Sequence, residues 1–235
     1  MKKIAIGILA MLSLIAVQRP AIVKAEDSAA LIAKWDGAWA KVNDYKEEVE
    51  SHVTNGNNHE DRKFKIWFKK PLNIRSEIIE GNRGGDKGSV ACYTGGDRVT
   101  GHQGGFLSGI SLSLGLDDKK TTSIRGARIT ELAFSRHLEV IHMYEKGKAK
   151  MEVGTGTVDG KPVTTLTCFS SNNDFIAGNG NIAKDVFYYD NTLNLPVQWD
   201  RYESNGALVV HVNYRNIQVN TGVDDSAFQV RSHPQ

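Results

Sequence analysis

Short alternating apolar segments dominate the second half of the sequence and constrain the fold more than any other feature. After Gly147 each apolar run has the two-residue period of a β-strand, and Ser204-Asn205-Gly206 is a typical hairpin turn. The runs are 149–153, 163–169, 186–189, 197–202 and 208–219. Successive strands joined by short turns pair antiparallel, so this half predicts an antiparallel sheet.

The first half begins with a helix and continues with strands. From Asp27 to Val42 apolar residues recur at steps of three and four, which predicts an amphipathic helix with Asp27 or Ser28 as its N-cap. Alternation then predicts two strands around a turn at 55–58. Further strands are predicted at 74–80, 90–93 and 98–100.

Two Gly-rich segments are harder to interpret. We interpret 81–88 as a flexible hairpin tip, with a phosphate-binding nest of backbone N–H groups as the alternative. The Gly- and Ser-rich sequence of 101–125 predicts a loosely packed segment that contains a short strand. This segment is a candidate gate that would open and close the cavity.

A second helix is predicted over 128–146, with Gly147 as its C′ residue. The order of elements is then a helix, three or four strands, a crossing segment with a second helix, and about five strands. This order predicts an α+β fold in which one strongly curved antiparallel sheet is closed by one or two helices.

The first 25 residues have the pattern of a secretory signal peptide. Lys2 and Lys3 precede the apolar run 4–17, and Ala25 ends a small-residue site, so we expect cleavage after Ala25 and a periplasmic location. The run is shorter than the ~20 residues that cross a bilayer, and no comparable run follows, so no membrane span is expected. We expect 26–235 to form a single domain and a monomer.

The charge balance gives no indication of a nucleic-acid partner. Four of the 29 basic residues and none of the 27 acidic residues lie in the signal segment, so the remainder has slightly more acidic than basic residues. A nucleic-acid-binding domain of this size normally carries a marked basic excess. We therefore expect none.

Cys92 and Cys168 are the two cysteines of the chain, both in strand-like surroundings. In an oxidising compartment an even number of cysteines suggests a disulfide. Such a bridge would stabilise the fold by roughly 3–5 kcal/mol in the chain-entropy model. The alternative is a pair of buried free thiols that pack as small hydrophobes.

Common enzyme motifs are missing from the sequence. It contains no Gly-x-Ser-x-Gly elbow, His-Glu-x-x-His pair, Cys-x-x-Cys pair or P-loop. His137 and His142 are five residues apart on the predicted helix, which turns them about 140° from one another and prevents them from sharing a metal ion. We expect no catalytic residue, no metal site and no cofactor.

Several phrases resemble the LolA/LolB-like lipoprotein-carrier superfamily, and within it an exported bacterial family of unknown function. The stretch from Phe68 to Arg75 resembles the phrase F-x-K-P-x-x-x-R that opens the third strand in such chains. The closing phrases are Ile124 to Ile129, Leu195-Pro196-Val197 with Tyr202, Tyr214-Arg215-Asn216, and Asn220 to Phe228. Together they extend over nearly all of the chain after the signal segment.

The resemblance implies an incomplete β-barrel with an apolar cavity between sheet and helices. It implies a protein that binds and transfers a lipid or acylated molecule, as in the sorting of outer-membrane lipoproteins. The residues predicted to line the cavity are Trp35, Trp39, Phe64, Ile66, Phe68, Ile74, Ile78, Trp199, Val210, Val212 and Tyr214. Two alternatives remain: a regulatory module that binds an envelope protein, and a hydrolase with carboxylates at the cavity mouth.

Overall fold

A computed structural model describes residues 27–170 and 181–230. Its helices are α1 (Ser28–Ala40) and α2 (Ser135–Lys146), with 3₁₀ turns at Gly105–Leu107, Ile129–Leu132 and Asp225–Phe228. Its strands are β1 (Asp44–Asn55), β2 (Asn58–Lys69), β3 (Asn73–Gly81), β4 (Val90–Tyr93), β5 (Arg98–His102), β6 (Leu112–Gly115), β7 (Lys150–Val158), β8 (Lys161–Phe169), β9 (Ile182–Asp190), β10 (Pro196–Glu203) and β11 (Leu208–Val219).

The strands form one open antiparallel sheet in the order β6-β5-β4-β3-β2-β1-β11-β10-β9-β8-β7. Strand β1 lies at the centre, where Val49 is opposite Phe64 of β2 and Tyr214 of β11. Because side chains alternate along a strand, these three residues share one face of the sheet. This face carries the buried core, and both helices pack on it.

Helix α1 begins where the sequence predicts it. The carboxylate of Asp27 accepts a hydrogen bond from the backbone N–H of Ala29 and caps the helix. Its buried side chains are Leu31, Ile32 and Trp35. The indole of Trp35 stacks on the ring of Tyr189 with 3.6 Å between centroids, which fixes α1 over β9.

The predicted helix over 128–146 is wrong at its N-terminal end. A 3₁₀ turn at Ile129–Leu132 is followed by extended backbone at Ala133, and α2 begins only at Ser135. The cause is tertiary, because the buried backbone N–H of Phe134 donates to the hydroxyl of Tyr45 at 3.2 Å. The predicted role of Gly147 also needs correction, since the left-handed residue after α2 is Lys148.

The structure corrects the disulfide prediction. Cys92 on β4 and Cys168 on β8 are free, buried thiols, and six strands lie between β4 and β8 in the sheet. Bridged cysteines have Cα atoms within about 7 Å, which strands so far apart in the sheet do not provide. Burial raises the pKa of both thiols, so they pack as small apolar groups.

Two further sequence predictions concern a membrane span and a signal peptide. In the described ranges, no helix is both long enough and apolar enough to span a bilayer. The predicted signal peptide and its cleavage after Ala25 lie outside the described residues.

Candidate functional site

A cavity of about 290 Å³ lies between the concave face of the sheet and the segment 112–132, and it opens to solvent. Strands β1, β2, β3, β10 and β11 form its sheet wall. The 3₁₀ turn at Ile129–Leu132 covers the opposite side. The loop 83–86 and strands β4 and β5 form its rim.

Strand register arranges the sheet wall in rows of different polarity. The row nearest the β1–β2 turn contains Arg201, Val210, Val53 and Glu60, each opposite the next across neighbouring strands. The second row contains Trp199, Val212, Ser51 and Arg62. The third contains Tyr214, Val49 and Phe64. Of these three rows, the two nearer the β1–β2 turn contain the charged side chains, and the third is apolar apart from the Tyr214 hydroxyl.

The Gly-rich loop 81–88 is held firmly against the rim. The buried carboxylate of Asp86 accepts two hydrogen bonds from Arg62, both at 3.0 Å. The backbone N–H of Gly104 donates to the carbonyl of Gly85, and a Cβ added to Gly104 would lie 1.7 Å from the carbonyl oxygen of Lys87. The loop joins the antiparallel strands β3 and β4, as the interpretation as a hairpin tip expects, and Asp86 and Gly85 attach it to its neighbours at the rim.

Arg125 holds the segment 112–128 against the sheet. Its Nη2 donates to the carboxylate of Glu203 at 2.5 Å, and its Nε donates to the backbone carbonyl of Thr54. The amide of Asn55 adds a hydrogen bond to the carbonyl of Ile124 at 3.0 Å. These contacts join the cover of the cavity to the ends of β1 and β10.

A buried ionic cluster surrounds Asp185 at the β9–β10 side of the wall. Its carboxylate accepts hydrogen bonds from Arg201 Nε at 2.9 Å, Trp199 Nε1 at 2.9 Å and the Tyr144 hydroxyl at 2.7 Å. The Arg201 side chain is only 4% exposed. Among the described residues, no acceptor lies within hydrogen-bonding distance of its Nη2.

The structure brings six of the predicted residues together around the cavity and places five elsewhere. Those that line it are Phe64, Ile78, Trp199, Val210, Val212 and Tyr214. The others belong to the hydrophobic core or pack against it: Trp35 and Trp39 on α1, and Ile66, Phe68 and Ile74 on β2 and β3. Aromatic rings fill this region, since Tyr45 stacks on Phe68 at 4.7 Å and on Phe134 at 4.3 Å.

Sequence reasoning missed the charged members of the wall. Arg62 has the same strand parity as the predicted residue Phe64, and Arg201 has the same parity as Trp199. That parity was an available signal, because alternate residues of a strand share a face. The rim residues Arg83 and Asp86 lie in a loop and gave no periodic signal.

Two titratable side chains, Glu47 on β1 and His137 on α2, are buried. Burial raises the pKa of the Glu47 carboxyl well above its usual value, and its oxygens have no hydrogen-bond partner within the described residues. Burial, and to a lesser degree the charges of Arg201 and Arg136, lowers the pKa of His137 to about 3. Its Nε2 lies 2.7 Å from the Tyr214 hydroxyl. The His137 ring is therefore neutral in the folded protein at neutral pH.

His137 makes the free energy of unfolding depend on pH. Its pKa is about 6.5 when unfolded and about 3 when folded, so the unfolded state binds a proton first as pH falls. We expect stability to decrease between pH 6.5 and pH 3, by roughly 4–5 kcal/mol in total from this group. Urea unfolding of His137→Gln should show a weaker decrease over this range than the unmodified protein.

The control for this titration is His142→Gln, because the His142 ring is 44% exposed. This variant should retain the loss of stability below pH 6.5. An unchanged dependence of stability on pH in His137→Gln would contradict the assignment of this titration to His137.

Over the described residues, no group of three or more His, Cys, Asp or Glu side chains is placed to hold a metal ion.

Comparison with known proteins identifies the class of fold. No family model and no curated protein matches the sequence. An uncharacterized conserved protein from Thermus thermophilus is 10% identical over 86% of this chain and 93% of its own, with a TM-score of 0.52. The fold is thus shared with a solved structure, and the predicted α+β incomplete barrel is confirmed.

Two further matching structures are a LolA superfamily protein and MucB. The LolA superfamily protein from Nitrosomonas europaea is 12% identical over 87% of this chain and 98% of its own, with a TM-score of 0.38. MucB, in the Pseudomonas aeruginosa MucA/MucB complex, is 9% identical over 84% of this chain and 60% of its own, with a TM-score of 0.42.

Proposed function

We propose that this protein binds the acyl part of a lipid or lipidated molecule in its cavity and transfers it between sites in the cell envelope. The observation that carries the proposal is the group of apolar side chains Phe64, Ile78 and Val212 that line a cavity of about 290 Å³. Ligand sites are commonly about 300–1,000 Å³. Each buried CH₂ group contributes about 0.8 kcal/mol, so a short acyl chain gains several kcal/mol here.

The location of charge supports an amphiphilic ligand. An acyl chain requires an apolar inner wall, and the polar head of such a molecule requires charged or hydrogen-bonding groups near the opening. The rim provides the guanidinium of Arg83, which donates to Glu60 of the outer row, while Tyr214 and Phe64 lie further in. The bound ligand is therefore oriented with its polar head toward the β1–β2 turn and its acyl chain further inside the cavity.

The proposal includes a place of action. The predicted signal peptide would export the chain, and residues 26–235 would then act as a single periplasmic domain. In the aqueous periplasm an acyl chain must be shielded from water to move between membranes. A binding protein whose cavity opens to solvent meets this need without a chemical reaction.

The proposal is tested by filling the cavity. Val212 lines the wall and is only partly buried, so Val212→Phe places a ring in the space for the acyl chain. Losing room for about two CH₂ groups lowers affinity about 10-fold. We expect this loss in titrations of the purified protein with a fluorescent single-chain fatty acid.

The matched control is Gln218→Phe, which introduces the same side chain at an exposed position of the same strand. This variant should bind as the unmodified protein does. Equal affinity in both variants would place the ligand elsewhere. Absence of binding in the unmodified protein would refute the proposed function.

An exposed apolar segment favours a second candidate, a module that binds an envelope protein. Phe106 is fully exposed, and Leu107, Ile110 and Leu112 are also exposed. Apolar side chains clustered on a surface commonly mark an interaction site. If this function holds, Phe106→Ser should weaken capture of an envelope partner several-fold and leave acyl affinity unchanged. Unchanged capture would argue against it.

A further inference from the structure

Ser76 places a hydroxyl group in an otherwise apolar part of the cavity wall. The residue lines the cavity and is only 5% exposed. Its neighbours on the same face of the sheet are Ile74 and Ile78 along β3, Ile66 on β2 and Ala91 on β4. The hydroxyl forms no hydrogen bond with another described residue, and its oxygen is not closed off from solvent. It is therefore open to a ligand in the cavity.

A hydroxyl in this position is unfavourable for the empty protein. It has exchanged most of its contact with water for apolar neighbours and has gained no hydrogen bond in return. The hydroxyl of Ser89, which also lines the cavity, is different, because it donates to the carbonyl of Gly85 and accepts from the backbone N–H of Gly104. Ser89 thus holds two loops together, whereas the donor of Ser76 has no such task within the described residues.

Small residues connect Ser76 with the rim of the cavity. Ser76 lies opposite Ala91 of β4, Ala91 lies opposite Gly101 of β5, and all three residues line the cavity. Their short side chains leave space beside the hydroxyl for a group that is bulkier than a methylene chain. On the inner side, Ile78 lies opposite Phe64, so an acyl chain that starts at Ser76 continues along an apolar wall.

The charged side chains of the lining are already paired. The pairs are Arg62 with Asp86, Arg83 with Glu60, Arg125 with Glu203, Arg128 with Asp117, Arg136 with Glu131, and Arg201 with Asp185. Lys120 completes the charged lining and is exposed to solvent. An ionised group that enters the cavity gives up water and meets counter-ions that are already engaged. The lining therefore favours an uncharged ligand.

From these observations, and resting on the proposed function, we infer that the ligand is an uncharged acyl compound whose carbonyl oxygen accepts a hydrogen bond from the Ser76 hydroxyl. Esters and amides share this chemistry, because each has a carbonyl acceptor without a net charge. The carbonyl then lies just inside the rim, and the chain extends toward Ile78 and Phe64. Ser76 is the residue that selects the ligand by its acyl linkage.

The test compares ligands that differ in their linkage and have chains of matching length. Methyl decanoate, N-methyldecanamide and decyl methyl ether each compete with the fluorescent fatty acid for the mature protein. The ether lacks the carbonyl oxygen, so we expect the protein to prefer the carbonyl compounds about 5-fold, as a hydrogen bond between neutral groups provides. The stronger of the two identifies the linkage as an ester or an amide. Decanoate is ionised at neutral pH and should bind more weakly than methyl decanoate.

Ser76→Ala is the variant that removes the hydroxyl. Its affinity for decyl methyl ether should equal that of the unmodified protein, while the preference for methyl decanoate should vanish. Because the hydroxyl has no partner among the described residues, the urea midpoint of unfolding should not decrease, which separates a binding role from a structural one. Ser51→Ala is the matched control, since Ser51 also lines the cavity, on β1, and this variant should retain the preference.

The outcomes separate the two proposals. Equal binding of the carbonyl compounds and the ether would overturn the role of Ser76 and leave the acyl cavity in place. A preference that Ser76→Ala retains would also overturn it, because another donor would then be responsible. Tighter binding of decanoate than of methyl decanoate would overturn the assignment of an uncharged ligand. Failure of all four ligands and of the fluorescent fatty acid to bind would overturn the proposed function itself.

Discussion

Replacement of Asp185 by alanine is expected to lower the free energy of unfolding by about 3–5 kcal/mol. The carboxylate is fully buried and forms an ion pair with Arg201, whose side chain is also buried. Without it, the Arg201 charge stays in the protein interior with no counter-ion at this position. The Trp199 indole and the Tyr144 hydroxyl lose the same acceptor.

Urea unfolding followed by circular dichroism measures this effect. Asp117→Ala is the control, because Asp117 pairs with Arg128 at the surface and both side chains are largely exposed. Exposed ion pairs contribute about 0–1 kcal/mol. Asp185→Asn should lie between the two, since the amide oxygen still accepts hydrogen bonds. A loss in Asp185→Ala no greater than that in Asp117→Ala would show that the buried cluster does not stabilise the fold.

Replacement of Trp35 by alanine is expected to cost about 3–5 kcal/mol. The Trp35 side chain is 1% exposed and stacks on Tyr189, so its removal leaves a large void between α1 and β9. Trp39→Ala should cost less, because Trp39 is only partly buried and has tilted or edge-on contacts with its aromatic neighbours. Thermal and urea unfolding give both values.

The same variants decide what these two tryptophans do. The sequence places them in the ligand site, whereas the cavity wall consists of other residues. We expect folded Trp35→Ala protein to bind a fluorescent fatty acid with unchanged affinity at low temperature. A variant that keeps its stability and loses binding would instead establish Trp35 as a ligand contact.

The alternation of apolar residues predicted much of the fold, because the face that a strand residue occupies depends only on its position along the strand. Alternation on β2 placed Phe64, Ile66 and Phe68 on one face, and all three are buried there. The helix boundary near Ala133 could not be predicted in this way. It depends on a hydrogen bond between Phe134 and Tyr45, which are 89 positions apart.

In the candidate site, too, some features could be predicted from local sequence and others depend on contacts between distant segments. Strand periodicity predicts that apolar residues such as Val212 line the wall. It does not predict the ion pair between Arg201 and Asp185. Strand parity places Arg201 on the inward face, but its partner cannot be predicted until the order of strands is known. That order places β10 beside both β9 and β11, and so makes an ionic cluster from separate segments.

The central position of β1 has a consequence for how the protein folds. Strand β1 is the sheet's first strand in the chain, yet one of its two neighbours is β11, the last. Pairing of such distant segments requires closure of a long loop, which slows folding. Until Leu208–Val219 is available, β1 and β10 each keep an unpaired edge, and such edges promote aggregation. The final strand of the sheet therefore controls when these two edges become paired.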